Sequence, residues 1–392
     1  MAESALAPDT GAPEPAPARE ATAGPPAAEA GGILTVNLAA IEENWRALGR
    51  RVMPSECAAV VKADAYGLGL EQVGRHLWRA GCRTFFVADL AEARRLRAVA
   101  PDAAIYVLNG LIPNTAPAFA EIEARPVIGS MPELAEWDTF CRSQDWHGGA
   151  ALHIDTGMNR LGISVDDAAA LAPRIRADNH GITLLMSHFA SSQSPAHPLN
   201  ATQIAVFREA RLLYRGIPSS LANSSGIFLG GPAHCDMVRP GVALYGVNPT
   251  PGKRNPMRPV IELQLRVLQV RAIPKGASVG YDGVWTARRA TRIAVVAAGY
   301  ADGLMRSASG TDEVPGAEAI VVGQRCPVIG RISMDLTAID LGALRETVVR
   351  RGDLVTLIGG ELDVDALADK SATVGYEVLT SLGRRYHRVY RG

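Results

Sequence analysis

A lysine that directly follows a run of small and β-branched residues can do chemistry that a solvated lysine cannot. In Cys57-Ala58-Ala59-Val60-Val61-Lys62 the run suits a strand buried on both faces, so Lys62 stands where that strand ends. An amine at the mouth of an apolar core has its pKa lowered by desolvation, and a neutral amine can condense with an aldehyde. Lys62 is therefore a candidate Schiff-base lysine, although on position alone an ordinary solvated lysine capping a strand is the commoner case. Asp64, Tyr66, Gly67 and Gly69 then bend the chain away toward a helix.

The elements that must position such a lysine are repeated. Eight short apolar runs succeed one another: Ala58 to Val61, Thr84 to Ala88, Ala104 to Leu108, Pro126 to Ile128, Ala150 to Ile154, Ile182 to Met186, Ser219 to Ala222 and Met237 to Val238. Most are separated by amphipathic stretches of helical length, such as Leu90 to Val99, Pro132 to Arg142 and Thr202 to Arg215. The alternation predicts a parallel sheet closed as a (β/α)8 barrel. Active sites of such barrels lie at the carboxyl ends of the strands. Those ends carry Lys62 and Tyr66, then Asp155 and Arg160, His188, Asn223-Ser224-Ser225-Gly226 and Arg239-Pro240-Gly241-Val242. The loops after the seventh and eighth strands are the usual phosphate site of this fold, and Ser224, Gly226 and Gly241 stand there.

An amine, a histidine and a phosphate cradle on one rim point to pyridoxal 5'-phosphate, whose aldehyde needs the lysine and whose phosphate needs the cradle. No G-x-G-x-x-G spacing competes for a nicotinamide, and the histidines do not pair at metal-ligand spacing. The chain of 392 residues is long enough for two domains, and its 40 basic and 40 acidic residues argue against a nucleic-acid partner. The five cysteines are scattered and form no C-x-x-C pair, which suits reduced thiols in a cytoplasmic protein. Neither a secretory leader nor a membrane-length apolar run is found. Residues 1–32, rich in Ala, Pro, Gly and Glu, read as a disordered tail that offers no core residues. Residues 33–259 read as the barrel. From residue 260 short alternating strands, including Val267 to Ile273, Arg292 to Ala297, Ala319 to Val322 and Leu354 to Ile358, predict a mainly β C-terminal domain.

Taken together, Val60-Val61-Lys62-Ala63-Asp64-Ala65-Tyr66-Gly67, Asp155-Thr156-Gly157-Met158-Asn159-Arg160, Ser187-His188-Phe189-Ala190, Ala222-Asn223-Ser224-Ser225-Gly226 and Arg239-Pro240-Gly241-Val242 resemble the alanine racemase family. Gly280-Tyr281, Gly299-Tyr300-Ala301-Asp302, Ser333-Met334-Asp335 and Gly375-Tyr376-Glu377 continue the match in family order. The resemblance implies interconversion of L- and D-alanine, feeding peptidoglycan, by two bases on opposite faces of the substrate carbon: Lys62 and Tyr281. It implies that Tyr66, Asn223, Ser224, the backbone at Gly241 and Val242, and Tyr376 hold the cofactor, with His188 against its ring. Arg239 would donate to the pyridine nitrogen; because a guanidinium keeps its proton, that nitrogen stays unprotonated, which weakens the electron sink and favours racemisation over transamination. Arg160 and Met334 would meet the substrate carboxylate. Tyr281 would come from the second subunit of a head-to-tail homodimer.

Two departures stand out. Where the family commonly has a lysine, often carbamylated, this chain has His153, so another group must orient Arg160. After His188, where relatives often carry acids, it has Ser191, Ser192, Gln193 and Ser194. Judged from the residues alone, His188 could be a structural histidine and Tyr281 a half-buried strand tyrosine. A broad-specificity amino-acid racemase, a pyridoxal-phosphate decarboxylase and a non-enzymatic cofactor holder are the alternative readings.

Overall fold

The computed structural model describes residues 21–177, 181–344 and 348–392. Each of the eight apolar runs forms a parallel strand, from Thr84–Val87 through Ala104–Val107, Arg125–Ile128, Ala150–His153, Ile182–Met186 and Ser219–Asn223 to Met237–Arg239. The first is split at Ala58 into Glu56–Cys57 and Ala59–Val60. Its first half pairs with the last strand, Glu56 opposite Met237, and its second half with the next, Ala59 opposite Phe85. That one broken strand closes the ring. Ala58, Ala59 and Val61 are fully buried, as expected for a strand covered on both faces.

The helices pack on this ring through one apolar stripe each. Leu70–Arg79 buries Leu70, Val73, Gly74 and Leu77, spaced i, i+3, i+4 and i+7, and a fully buried leucine such as Leu77 contributes about 1.5–3 kcal/mol. Asp89 caps Leu90–Arg97 by accepting from the Glu92 N–H, and Ser130 caps Met131–Gln144 by accepting from Glu133.

The C-terminal region is a nine-stranded, mostly antiparallel sheet centred on Ile261–Ile273, whose first seven residues alternate buried and half-buried. Thr291–Val296 and Leu354–Ile358 flank that strand. The expected strands are there, but two helices, Val364–Lys370 and Gly375–Ser381, stand among them. The second packs against the barrel: a Cβ on Gly375 would lie 2.8 Å from Val247.

Two expectations are corrected at the N-terminal side. Gly32–Asn37 is not part of the barrel; it pairs with Ile261–Leu265 and, in parallel, with His387–Arg391, and its Leu34 and Val36 are fully buried. Of the expected disordered tail, residues 1–20 lie outside the described residues, but the stretch from residue 21 is ordered. Ala21–Ala23 pairs antiparallel with Arg388–Tyr390, and Arg266 donates to the Ala27 and Ala30 carbonyls. Composition missed this because backbone pairing on a sheet edge needs no large apolar side chains.

Candidate active site

The carboxyl rim of the barrel opens into a cavity of about 860 Å3 that Lys62, Tyr66, Arg160, His188, Ser224 and Arg239 line together. Lys62 starts a turn in which Ala63, Asp64, Ala65 and Tyr66 all have φ between 53° and 55°. A left-handed turn of non-glycine residues costs about 1–2 kcal/mol per residue, so the surroundings must hold it. Ala65 N–H donates to the Val61 carbonyl and Gly67 N–H to Ala63, at 2.9 and 2.7 Å. Glu92 accepts from the Asp64 N–H, and the Asp64 carboxylate takes the Leu70 N–H and the Arg95 guanidinium. The result aims Lys62 and Tyr66 into the same cavity.

Burial, and then the positive charge of Arg160, lowers the pKa of the Lys62 amine. Burial raises the Tyr66 and Tyr376 phenols, so both keep a proton to donate. Their ring centroids lie 6.2 Å apart. Ser224 is buried, and its Oγ accepts from the N–H groups of Gly241 and Ala243 at 2.9 and 3.2 Å, which leaves the hydroxyl proton for another acceptor. Asn223 Oδ1 accepts from Ser192 and from the Gly226 N–H, shaping the turn beside it. At Gly241 a Cβ would meet Tyr66 Oη at 2.2 Å, so only glycine lets the tyrosine hydroxyl approach the backbone there. Val242 completes this wall of the cavity.

Arg239 is also buried, and its guanidinium donates to Ser220 Oγ and the Ser187 carbonyl and lies 3.4 Å from His188 Nδ1. Burial brings its pKa down to about 10, which still leaves it charged at neutral pH. His188 is held well below the usual imidazole range by burial and by the Arg239 charge; the same causes take His153 down to about 4. Arg160 is exposed at the mouth and makes no ion pair with another described residue. His153, at the end of Ala150–His153, and Asn109, just past the end of Ala104–Val107, also line the cavity; the strand-end rule would have found both. Glu377 and Thr380 reach it from the helix that carries Tyr376 and Val374 from the residue before it, and no strand pattern foretold them.

Tyr281 and Met334 do not belong to this cavity. Both are mainly exposed, 67% and 54%, and Tyr281 lines a separate depression of about 450 Å3 with Arg271, Arg331 and Ser333. Met334 offers its carbonyl to the Ala301 N–H.

Comparison with known proteins decides the family. The family model for the alanine racemase N-terminal domain matches residues 36–249, and that for the alanine racemase C-terminal domain matches residues 260–390. The chain belongs to the alanine racemase family. The alanine racemase of Methylobacterium sp. is 51% identical over 360 residues, covering 92% of this chain and 98% of that protein. Agrobacterium fabrum has two relatives, a catabolic alanine racemase 43% identical over 92% of each chain, and a biosynthetic one 42% identical over 91% of this chain and 93% of its own. Among solved structures, an alanine racemase from Bartonella henselae with covalently bound pyridoxal phosphate has a TM-score of 0.86 at 37% identity, covering 92% of this chain and 99% of that one. The residues present here fit the same cofactor: a desolvated amine, a buried cation that faces the cavity and, at Gly241, a cradle that a Cβ would fill.

Proposed function

We propose that this chain racemises alanine, with pyridoxal 5'-phosphate held on Lys62, and that the residue roles implied by the sequence apply. The observation that carries the reading is the cavity that Lys62, Arg239, His188, Tyr66, Ser224 and Tyr376 line together. Bound there, the cofactor supplies an electron-withdrawing system that makes the substrate Cα–H acidic. Tyr66, Ser224 and Tyr376 hold its phosphate as hydroxyl donors, with Asn223, Gly241 and Val242 shaping the cradle. Arg239, its guanidinium already held by the Ser220 hydroxyl and the Ser187 carbonyl, would donate to the ring nitrogen. His188 stays neutral against the ring. Arg160, uncompensated at the mouth, takes the substrate carboxylate.

Lys62 Nζ moves the proton on one face of the substrate carbon, and Tyr281 Oη moves it on the other. Because Tyr281 and Met334 lie exposed outside their own chain's cavity, we infer a homodimer in which each subunit completes its partner's site. The five free cysteines suit a cytoplasmic enzyme, and D-alanine for peptidoglycan is the role we assign to it. A division near residue 260 separates barrel from β domain, with residues 32–37 contributed to the latter. Incubation of the purified protein and cofactor with L-alanine should yield D-alanine without carbon dioxide; release of carbon dioxide would indicate a decarboxylase, and no turnover a cofactor holder. Equal rates on bulky amino acids would point to a broad-specificity racemase.

A further inference from the structure

The cofactor cradle is built by two domains, so something must fix their separation. Tyr66 comes from the left-handed turn of the barrel, which ends at Gly67, and Tyr376 comes from the helix Gly375–Ser381 of the β domain. Gly67 has φ +80°, and a Cβ on it would lie 2.5 Å from the Leu379 carbonyl oxygen, so the turn and the helix touch through backbone. Across that contact lies Arg388. It is 8% exposed and sits on the strand His387–Arg391, between Ala21–Ala23 and Gly32–Asn37. One guanidinium nitrogen donates to the Gly67 carbonyl, the last of the turn; the other donates to Leu382 and Gly383, the carbonyls that follow the helix, each at 3.2 Å. Among the described residues no carboxylate pairs with it. A buried cation that reaches three carbonyls on two different elements, and the Tyr390 phenol on its own strand, holds a geometry: a planar fork reaches both sides at once, and each bond is charge-assisted.

We propose that Arg388 is a positioning residue for the cofactor phosphate, spanning the domains so that Tyr66 and Tyr376 stay at the separation the phosphate needs. It touches neither cofactor nor substrate. The proposal rests on the reading that the cavity takes pyridoxal 5'-phosphate, and pyridoxal, which lacks the phosphate, separates the two. The full chain, stripped of cofactor, is titrated with pyridoxal 5'-phosphate and with pyridoxal; the ratio of the two affinities measures the phosphate site alone. Arg388→Met removes the bridge. Arg388→Lys keeps the buried charge, and with it the fold, but a single ammonium cannot fork to both elements.

Both variants should lower the affinity ratio by about ten-fold or more, the scale of one or two charge-assisted hydrogen bonds, while pyridoxal binds as it does to the wild type. An unchanged ratio would overturn the proposal. So would a parallel loss of both ligands, or failure of both variants to fold, since each makes Arg388 a general stability residue. A wild-type chain with no preference for the phosphorylated form would instead refute the cofactor reading itself.

Discussion

Lys62 carries the one amine that lines the barrel cavity, whereas Lys253, Lys275 and Lys370 are exposed. Its lowered pKa, caused by burial and then by Arg160, makes it the amine most available to an aldehyde near neutral pH. Borohydride reduction in the presence of pyridoxal 5'-phosphate should therefore fix the label on Lys62, read by peptide mapping; label on Lys253 or Lys275 would defeat the assignment. His153 allows a second measurement at this scale. Buried beside Arg239, it stays neutral in the fold down to about pH 4, whereas in the unfolded chain it takes up a proton near pH 6.5. The unfolded state thus binds more protons in that window, so stability is full above about pH 6.5 and falls as the pH drops toward 4, by about 3 kcal/mol for this group. His153→Gln should narrow the gap between melting temperatures at acid and neutral pH. His188, shifted in the same direction, should leave part of that gap in place.

Local pattern made the barrel legible, because a strand covered on both faces is a continuous apolar run and its carboxyl end is the next polar residue. Lys62, His188 and Arg239, far apart in sequence, meet in one cavity for that reason. What pattern could not show was pairing between distant segments. Nothing in Gly32–Asn37 says that its partners are Ile261–Leu265 and His387–Arg391, and nothing in Ala63-Asp64-Ala65-Tyr66 announces a left-handed turn that Glu92 and Arg95 hold in place. Gly375–Ser381 was legible as a motif but not as the helix that brings Glu377 and Thr380 to the cavity. The residues before Gly32 give a test at this scale. Composition predicts that a chain beginning at Gly32 melts like the full one. The strand Ala21–Ala23, the Pro25 carbonyl accepting from His387 and the Arg266 bonds to Ala27 and Ala30 predict otherwise. Loss of that cover should lower the melting temperature by about 2 °C, a cost of roughly 2 kcal/mol for a chain of this size. An unchanged melting curve would mean that the edge strand contributes nothing.

At the scale of the whole molecule, one chain holds both proposed bases but does not bring them together. Lys62 lies in the barrel cavity, while Tyr281 stands exposed beside Arg331 in a separate depression of the β domain. A two-fold dimer resolves this if the β domain of each subunit covers the cavity of the other, so that each site uses Lys62 from one chain and Tyr281 from its partner. Lys62→Ala should abolish racemisation by removing the amine, and Tyr281→Phe should keep the cofactor yet lose one proton transfer; each homodimer is then nearly inactive. Unfolding the two variants together and refolding them as a mixture makes about half of the dimers mixed. In a mixed dimer one site carries both lesions and the other carries neither, so random pairing should restore roughly a quarter of wild-type activity. If both residues served the same chain's site, every site in the mixture would still carry one lesion. Activity no higher than that of the two parents, in a mixture shown by native mass spectrometry to contain mixed dimers, would refute the shared site.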